Sequence, residues 1–129
     1  MNRKVKIDTK EKFHVITPVE AHLSANLTDN LSNLMHEFLE NPIKSIVFNA
    51  ENVESIEKPV ADCLAALQGD FQAENASFVI CCLKPAVRKA FLDWGLLDVL
   101  NITPTESEAW DIVQMEEIER ELFGNETEE

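Results

Sequence analysis

The chain has 129 residues, 45% of them hydrophobic and 27% charged, and a formal net charge of −13. A chain of this length closes one core without disulfides and buries about two-thirds of its unfolded surface. The acidic field argues against binding to nucleic-acid phosphates, and no apolar run approaches the roughly 18 residues of a membrane-spanning helix.

Val5 and Ile7 alternate with polar neighbours, as a half-buried strand requires. Residues 8–11 form a turn. A second strand over 13–16 pairs antiparallel with the first and ends at Thr17-Pro18, because proline cannot donate to a ladder. Leu27, Leu31, Leu34, Met35 and Phe38 recur at three- and four-residue steps. They predict an amphipathic helix that starts near Ser24 and stops before Asn41-Pro42.

Ser45-Ile46-Val47-Phe48 is a compact, β-preferring apolar run followed by the Asn49-Ala50-Glu51-Asn52 turn signal. Residues 55–58 then form a loop, and Pro59 fits the first helical position, where a missing N–H costs nothing. Val60, Cys63, Leu64, Leu67 and Phe71 give this second helix its inner stripe, and residues 69–75 close it. A buried strand follows over 77–83. Lys84-Pro85 opens a short helix with Val87 and Phe91 inside, Trp94 as a further inner candidate and Gly95 as its stop.

A last strand is expected within 96–102. The final helix starts at Thr103-Pro104-Thr105-Glu106, with Thr105 and Glu108 spaced as a capping box. Ala109, Ile112, Val113, Leu122 and Phe123 form its apolar stripe. The order is β-β-α-β-α-β-α-β-α, which predicts an α/β domain with a small mixed sheet and crossover helices. The domain spans residues 1–123, and 124–129 form an acidic tail expected to fray.

The charge is uneven: residues 106–129 carry ten acidic side chains against Arg120 alone, a net −9. Glu116, Glu117, Glu119 and Glu121 are expected to make a solvated acidic face. Met115, Ile118, Leu122 and Phe123 extend the apolar stripe beyond the domain, where it could bury against a second copy of the chain. Arg3, Lys4, Lys6, Lys10 and Lys12 are expected to form a solvated face of an edge hairpin.

The three cysteines are an odd number and two are adjacent, which points to reduced thiols and a cytoplasmic setting; no signal peptide is visible. Cys81 and Cys82 should face opposite sides of a strand as inert thiols, and Cys63 should lie in the core. His14, His22 and His36 lack metal-ligand spacing. With three glycines in all there is no phosphate loop, and there is no nucleophile elbow. The chain is expected to hold no cofactor or metal and to catalyse no reaction. Trp94 and Trp110 are each either core residues or partner anchors.

Three segments share a pattern of order and spacing. The first is Ile46-Val47-Phe48-Asn49 with Val53-Glu54-Ser55-Ile56-Glu57. The second is Leu83-Lys84-Pro85-Ala86-Val87-Arg88. The third is Gly95-Leu96-Leu97 with Thr103-Pro104-Thr105-Glu106 and Ala109. Together they resemble the STAS domain family, named for sulfate transporters and anti-sigma-factor antagonists. The resemblance covers about residues 4–115 and implies a STAS-like fold. In the family's anti-sigma-factor antagonists the loop before the second helix reads Asp-Ser-Ser-Gly, and a kinase that is also an anti-sigma factor phosphorylates a serine there. The residues that align with that loop are Glu57, Lys58, Pro59 and Val60. Lys58 and Pro59 carry no hydroxyl, so phosphorylation at those positions is chemically impossible. Asn49 replaces a commonly acidic strand end.

Lys58 also breaks local rules, since a cation opposes the dipole at a helix N-terminus and lysine is a poor N-cap. The expected function is a non-catalytic, regulatory protein-interaction module. Its partner-binding residues are Asn49, Glu57, Lys58, Pro59, Val60, Asp62 and Ala66. The partner is an anti-sigma-factor kinase or another STAS protein. The alternatives are a small-ligand or nucleotide sensor that uses the same loop, and a structural subunit of a larger signalling assembly.

Overall fold

The computed structural model describes residues 5–127, with side chains up to Leu122. Arg3 and Lys4 of the basic patch, the Phe123 side chain and residues 128–129 of the expected tail lie outside the described residues. β1 (Val5–Thr9) and β2 (Phe13–Pro18) form the antiparallel hairpin, with Val5 opposite Pro18 and Thr9 opposite His14. β2 thus runs through Thr17-Pro18 instead of ending before it.

A two-residue strand, β3 (His22–Leu23), and a 3-10 turn (Ala25–Leu27) lead into α1 (Thr28–Phe38). β4 (Ser45–Asn49) is followed by a second two-residue strand, β5 (Ser55–Ile56), and by α2 (Lys58–Ala73). β6 (Phe78–Cys81), α3 (Pro85–Asp93), β7 (Ile102–Thr103) and α4 (Glu106–Thr127) complete the chain.

The main sheet has the order β1-β2-β4-β6-β7, and every pairing beyond the first hairpin is parallel. β3 and β5 pair in parallel as a separate ribbon. The small mixed sheet with crossover helices is therefore as the periodicity predicts, with the β3–β5 ribbon added. The expected strand over 96–102 is shorter and later. Residues 97–100 turn instead, and pairing begins at Ile102.

Alternation along the central strands builds a core on each face of the sheet. Ile46, Phe48, Phe78 and Ile80 pack with Leu31 and Met35 of α1, Val60, Leu64, Leu67 and Phe71 of α2, and Val87 and Phe91 of α3. Phe13, Val15, Val47, Val79 and Cys81 form the other core with Ala109 and Val113 of α4. Apolar on both faces, β4 and β6 are buried throughout, as parallel central strands must be. Cys63 packs at the edge of the first core, and burial pushes its thiol pKa up. Burial also raises the pKa of Cys81, and Cys82 leaves the strand in the left-handed region at φ 66°.

Helix ends follow local chemistry. α2 closes on Asn75 at φ 60°; its N–H bonds to the Gln72 carbonyl and that of Ala76 to Phe71, at 3.0 and 2.8 Å. Gly95, at φ 74°, closes α3 the same way through Leu92 and Phe91. These are Schellman motifs, which need a residue tolerant of the left-handed region. Thr105 Oγ1 accepts the Glu108 N–H at 3.2 Å, which supplies the first arm of the capping box.

α4 continues to Thr127. One expectation for it is corrected: Glu116 and Glu117 are not on a solvated face. The buried Ser45 hydroxyl donates to Glu117 Oε2 at 2.6 Å, the buried Ser77 hydroxyl donates to Glu116, and Arg120 reaches Ser77 Oγ and Glu117 Oε2, each at 2.8 Å. This network anchors the middle of α4 to the starts of β4 and β6. His14 is a buried strand residue bonded to Thr9 Oγ1 and the Ile43 carbonyl. His36 joins α1 to α2 through Asp70, at 2.9 Å.

Candidate docking face at the entrance of α2

Parallel pairing of β3 with β5 sets the approach to α2. The Ala21 carbonyl accepts the N–H groups of Glu54 and Ser55, and the Leu23 carbonyl accepts that of Glu57 at 3.0 Å. Glu57, with extended backbone at φ −87° and ψ 149°, occupies the cap position ahead of α2. Lys58 is thus the first helical residue and Pro59 the second, one step later than the spacing predicts for proline. Both positions tolerate a residue that donates no backbone bond.

The Glu57 side chain caps a different element. Its Oε1 accepts the Ala25 N–H at 2.7 Å, and Oε2 lies 3.4 Å from His22 Nε2. The other ring nitrogen of His22 lies 2.6 Å from Ser55 Oγ. The Ala25 N–H, and secondarily His22, hold the Glu57 carboxyl below its usual range. The contact stabilises the fold above the ordinary carboxylate range and is lost as pH falls through the lowered folded value. Glu57 thereby fastens the turn before α1 to the mouth of α2.

Lys58 opposes the helix dipole, yet its ammonium lies 3.2 Å from Asp62 one turn on. Both side chains are more than half exposed, so this ion pair adds little stability.

Glu57, Lys58, Pro59, Asp62 and Ala66 are exposed on one side of the helix entrance. The other two predicted docking residues are not. Val60 is fully buried, as its place in the inner stripe of α2 dictates. Asn49 is 3% exposed. Its Nδ2 donates to Glu106 Oε1 at 2.6 Å and its Oδ1 accepts the Glu51 N–H at 2.9 Å. Asn49 ties the end of β4 to the start of α4. The residues missed in the sequence are His22 and Ser55, whose signal was a histidine and a serine inside strands too short to show a period.

None of the residues 57–60 carries a hydroxyl; the exposed Ser55 hydroxyl, upstream, is engaged by His22. Among the described residues no cluster of His, Cys, Asp and Glu is placed to hold a metal, and no helix is long and apolar enough to cross a membrane. A groove of about 680 Å³ lies at the other end of α2, lined in part by Gln72, Asn75, Ser77, Phe78, Glu116 and Arg120. It includes none of the predicted docking residues.

The fold is shared with solved structures. An anti-sigma factor antagonist from Mycobacterium paratuberculosis superposes with a TM-score of 0.74 at 17% identity, covering 85% of this chain and 92% of that one. A serine-to-glutamate variant of RsbS from Moorella thermoacetica gives 0.72 at 19% identity, covering 87% and 96%. The Bacillus cell fate determinant SpoIIAA, in its phosphorylated form, gives 0.63 at 17% identity, covering 84% and 98%. No curated protein sequence matches the chain. The family model for the STAS domain matches residues 4–109, from the first strand to the first turns of α4. The chain belongs to the STAS domain family.

Proposed function

We propose that the chain is a non-catalytic regulatory module, similar to an anti-sigma-factor antagonist, that binds a protein partner through the entrance of α2. The carrying observation is the exposed Glu57-Lys58-Pro59 edge, with Asp62 and Ala66 on the same side of a helix already formed. A preformed surface of this kind loses little ordering entropy on binding. The partner is an anti-sigma-factor kinase or another STAS protein, met in the cytoplasm. Because Lys58 and Pro59 stand where the family's antagonists carry serines, the surface is held permanently in an unphosphorylated-like form.

Affinity capture from native extract, with and without ATP, tests this function. The wild-type chain retains its partner equally in both conditions, and Lys58→Glu, which reverses the charge at the helix mouth, releases it. Identical retention by wild type and Lys58→Glu would overturn the docking site. Loss of the partner on adding ATP, with phosphate mapped to Ser55, would overturn the permanently unphosphorylated surface.

A further inference from the structure

α4 carries apolar residues along two opposite edges. Ala109 and Val113 point into the sheet and are fully buried. Met115, Ile118 and Leu122 are 60%, 49% and 60% exposed. At about 3.6 residues per turn these three lie on the side of the helix opposite Ala109 and Val113. Their spacing of three and four residues is that of a helix-packing seam. Among the described residues the other exposed large apolar side chains, Val19, Leu92 and Val99, lie apart on different segments. Single exposed apolar side chains need no explanation, but a row in register does. The seam also lies beyond residue 109, where the match to the family ends.

The borders of the seam decide what can cover it. Glu108 and Glu119 flank it on one side, Gln114 and Glu121 (the latter paired with Lys12 of its own chain) on the other, and Asp111 continues its line towards the helix start. Two copies packed through this seam would bring together segments of net charge −9 each. On the basic hairpin of a second copy, Lys10 and Lys12 already have partners in their own chain. Lys12 lies 3.2 Å from Glu121 of its own chain, and Lys10 pairs with Asp8 and sits over the Trp110 ring. A helix with apolar residues on one stripe and Lys or Arg beside them satisfies both the seam and its borders.

We propose that the outer edge of α4 is a second docking surface, separate from the α2 entrance, whose occupant is a basic amphipathic helix of another protein.

A fluorescently labelled designed helix with Leu at a and d and Lys at e and g serves as the probe, followed by anisotropy. The chain alone sediments as a monomer and binds the probe. The triple variant Met115→Ser, Ile118→Ser, Leu122→Ser weakens binding by at least about tenfold, while Leu92→Ser, an exposed apolar control on α3, stays within about twofold of wild type. A version of the probe with Glu in place of Lys does not bind. Equal binding by the triple variant and wild type, or equal binding of the acidic probe, would overturn the proposal. So would a dimer of the chain alone that the triple variant dissociates, since the occupant would then be a second copy. Lys58→Glu leaves probe binding unchanged, so failure here and failure at the α2 entrance are told apart.

Discussion

Replacing Asn49 by Ala separates a packing role from a docking role at the position where sequence and structure differ most. The buried amide of Asn49 makes two bonds, one to the Glu106 carboxylate at 2.6 Å and one from the Glu51 N–H at 2.9 Å. A bond to a charged group contributes about 1.5–3 kcal/mol and a neutral one about 0.5–1.5 kcal/mol. Asn49→Ala therefore costs about 2–4 kcal/mol. With an m-value of about 2 kcal/mol per molar urea, the unfolding midpoint falls by about 1–2 M at unchanged slope. Glu106 keeps its second contact, with Trp110 Nε1 at 2.9 Å, so the start of α4 is weakened and not released. A double-mutant cycle with Glu106→Ala gives a coupling energy above about 0.5 kcal/mol. Below the transition the folded variant retains the α2 partner as wild type does. A loss of stability under about 0.5 kcal/mol, or loss of partner binding by the folded variant, would refute the placement of Asn49 as an internal tie.

The network under α4 makes a second case. Arg120→Met keeps the aliphatic stem but leaves Glu117 without its cation, and is expected to cost about 1–3 kcal/mol in urea unfolding. Gly95→Ala meets no neighbour within 4 Å, so its cost is that of holding alanine at φ 74°, about 1 kcal/mol, seen as a small drop in Tm. The hydrogen bond to Asp70 raises the His36 pKa above its ordinary 6.5. That contact stabilises the fold fully below the unfolded value and is lost as pH rises through the higher folded value. Both side chains are about half exposed, so the stability difference between wild type and Asp70→Asn is under about 1 kcal/mol. It shrinks as pH rises above the ordinary 6.5 and through the higher folded value; a difference that stays constant with pH would refute the linkage.

The central strands were legible because burial on both faces leaves continuous apolar runs, Ser45-Ile46-Val47-Phe48 and Phe78-Val79-Ile80-Cys81. α1 and α2 were legible from their apolar spacing. The β3–β5 ribbon was not, since strands of two residues carry no period. Asn49 reads as a turn signal in sequence because a polar residue at a strand end looks the same whether it meets water or a distant carboxylate; Glu106 is 57 positions away. Glu116 and Glu117 were misread for the same reason, with their serine partners 39 and 72 positions away. Val60 belonged to the inner stripe by its own spacing, and its inclusion in the docking face followed the loop alignment against that spacing. The exposure of Glu57, Lys58, Pro59, Asp62 and Ala66 was legible because the cap position and the proline fix which turn of α2 comes first.

Amide hydrogen exchange of the chain, free and bound to the partner captured from native extract, tests the docking face most directly. The account predicts slowed exchange confined to the backbone of residues 55–66, with the amides of β4 and β6 unchanged. Unaltered exchange across 55–66 in a saturated complex would contradict it, wherever else protection appeared.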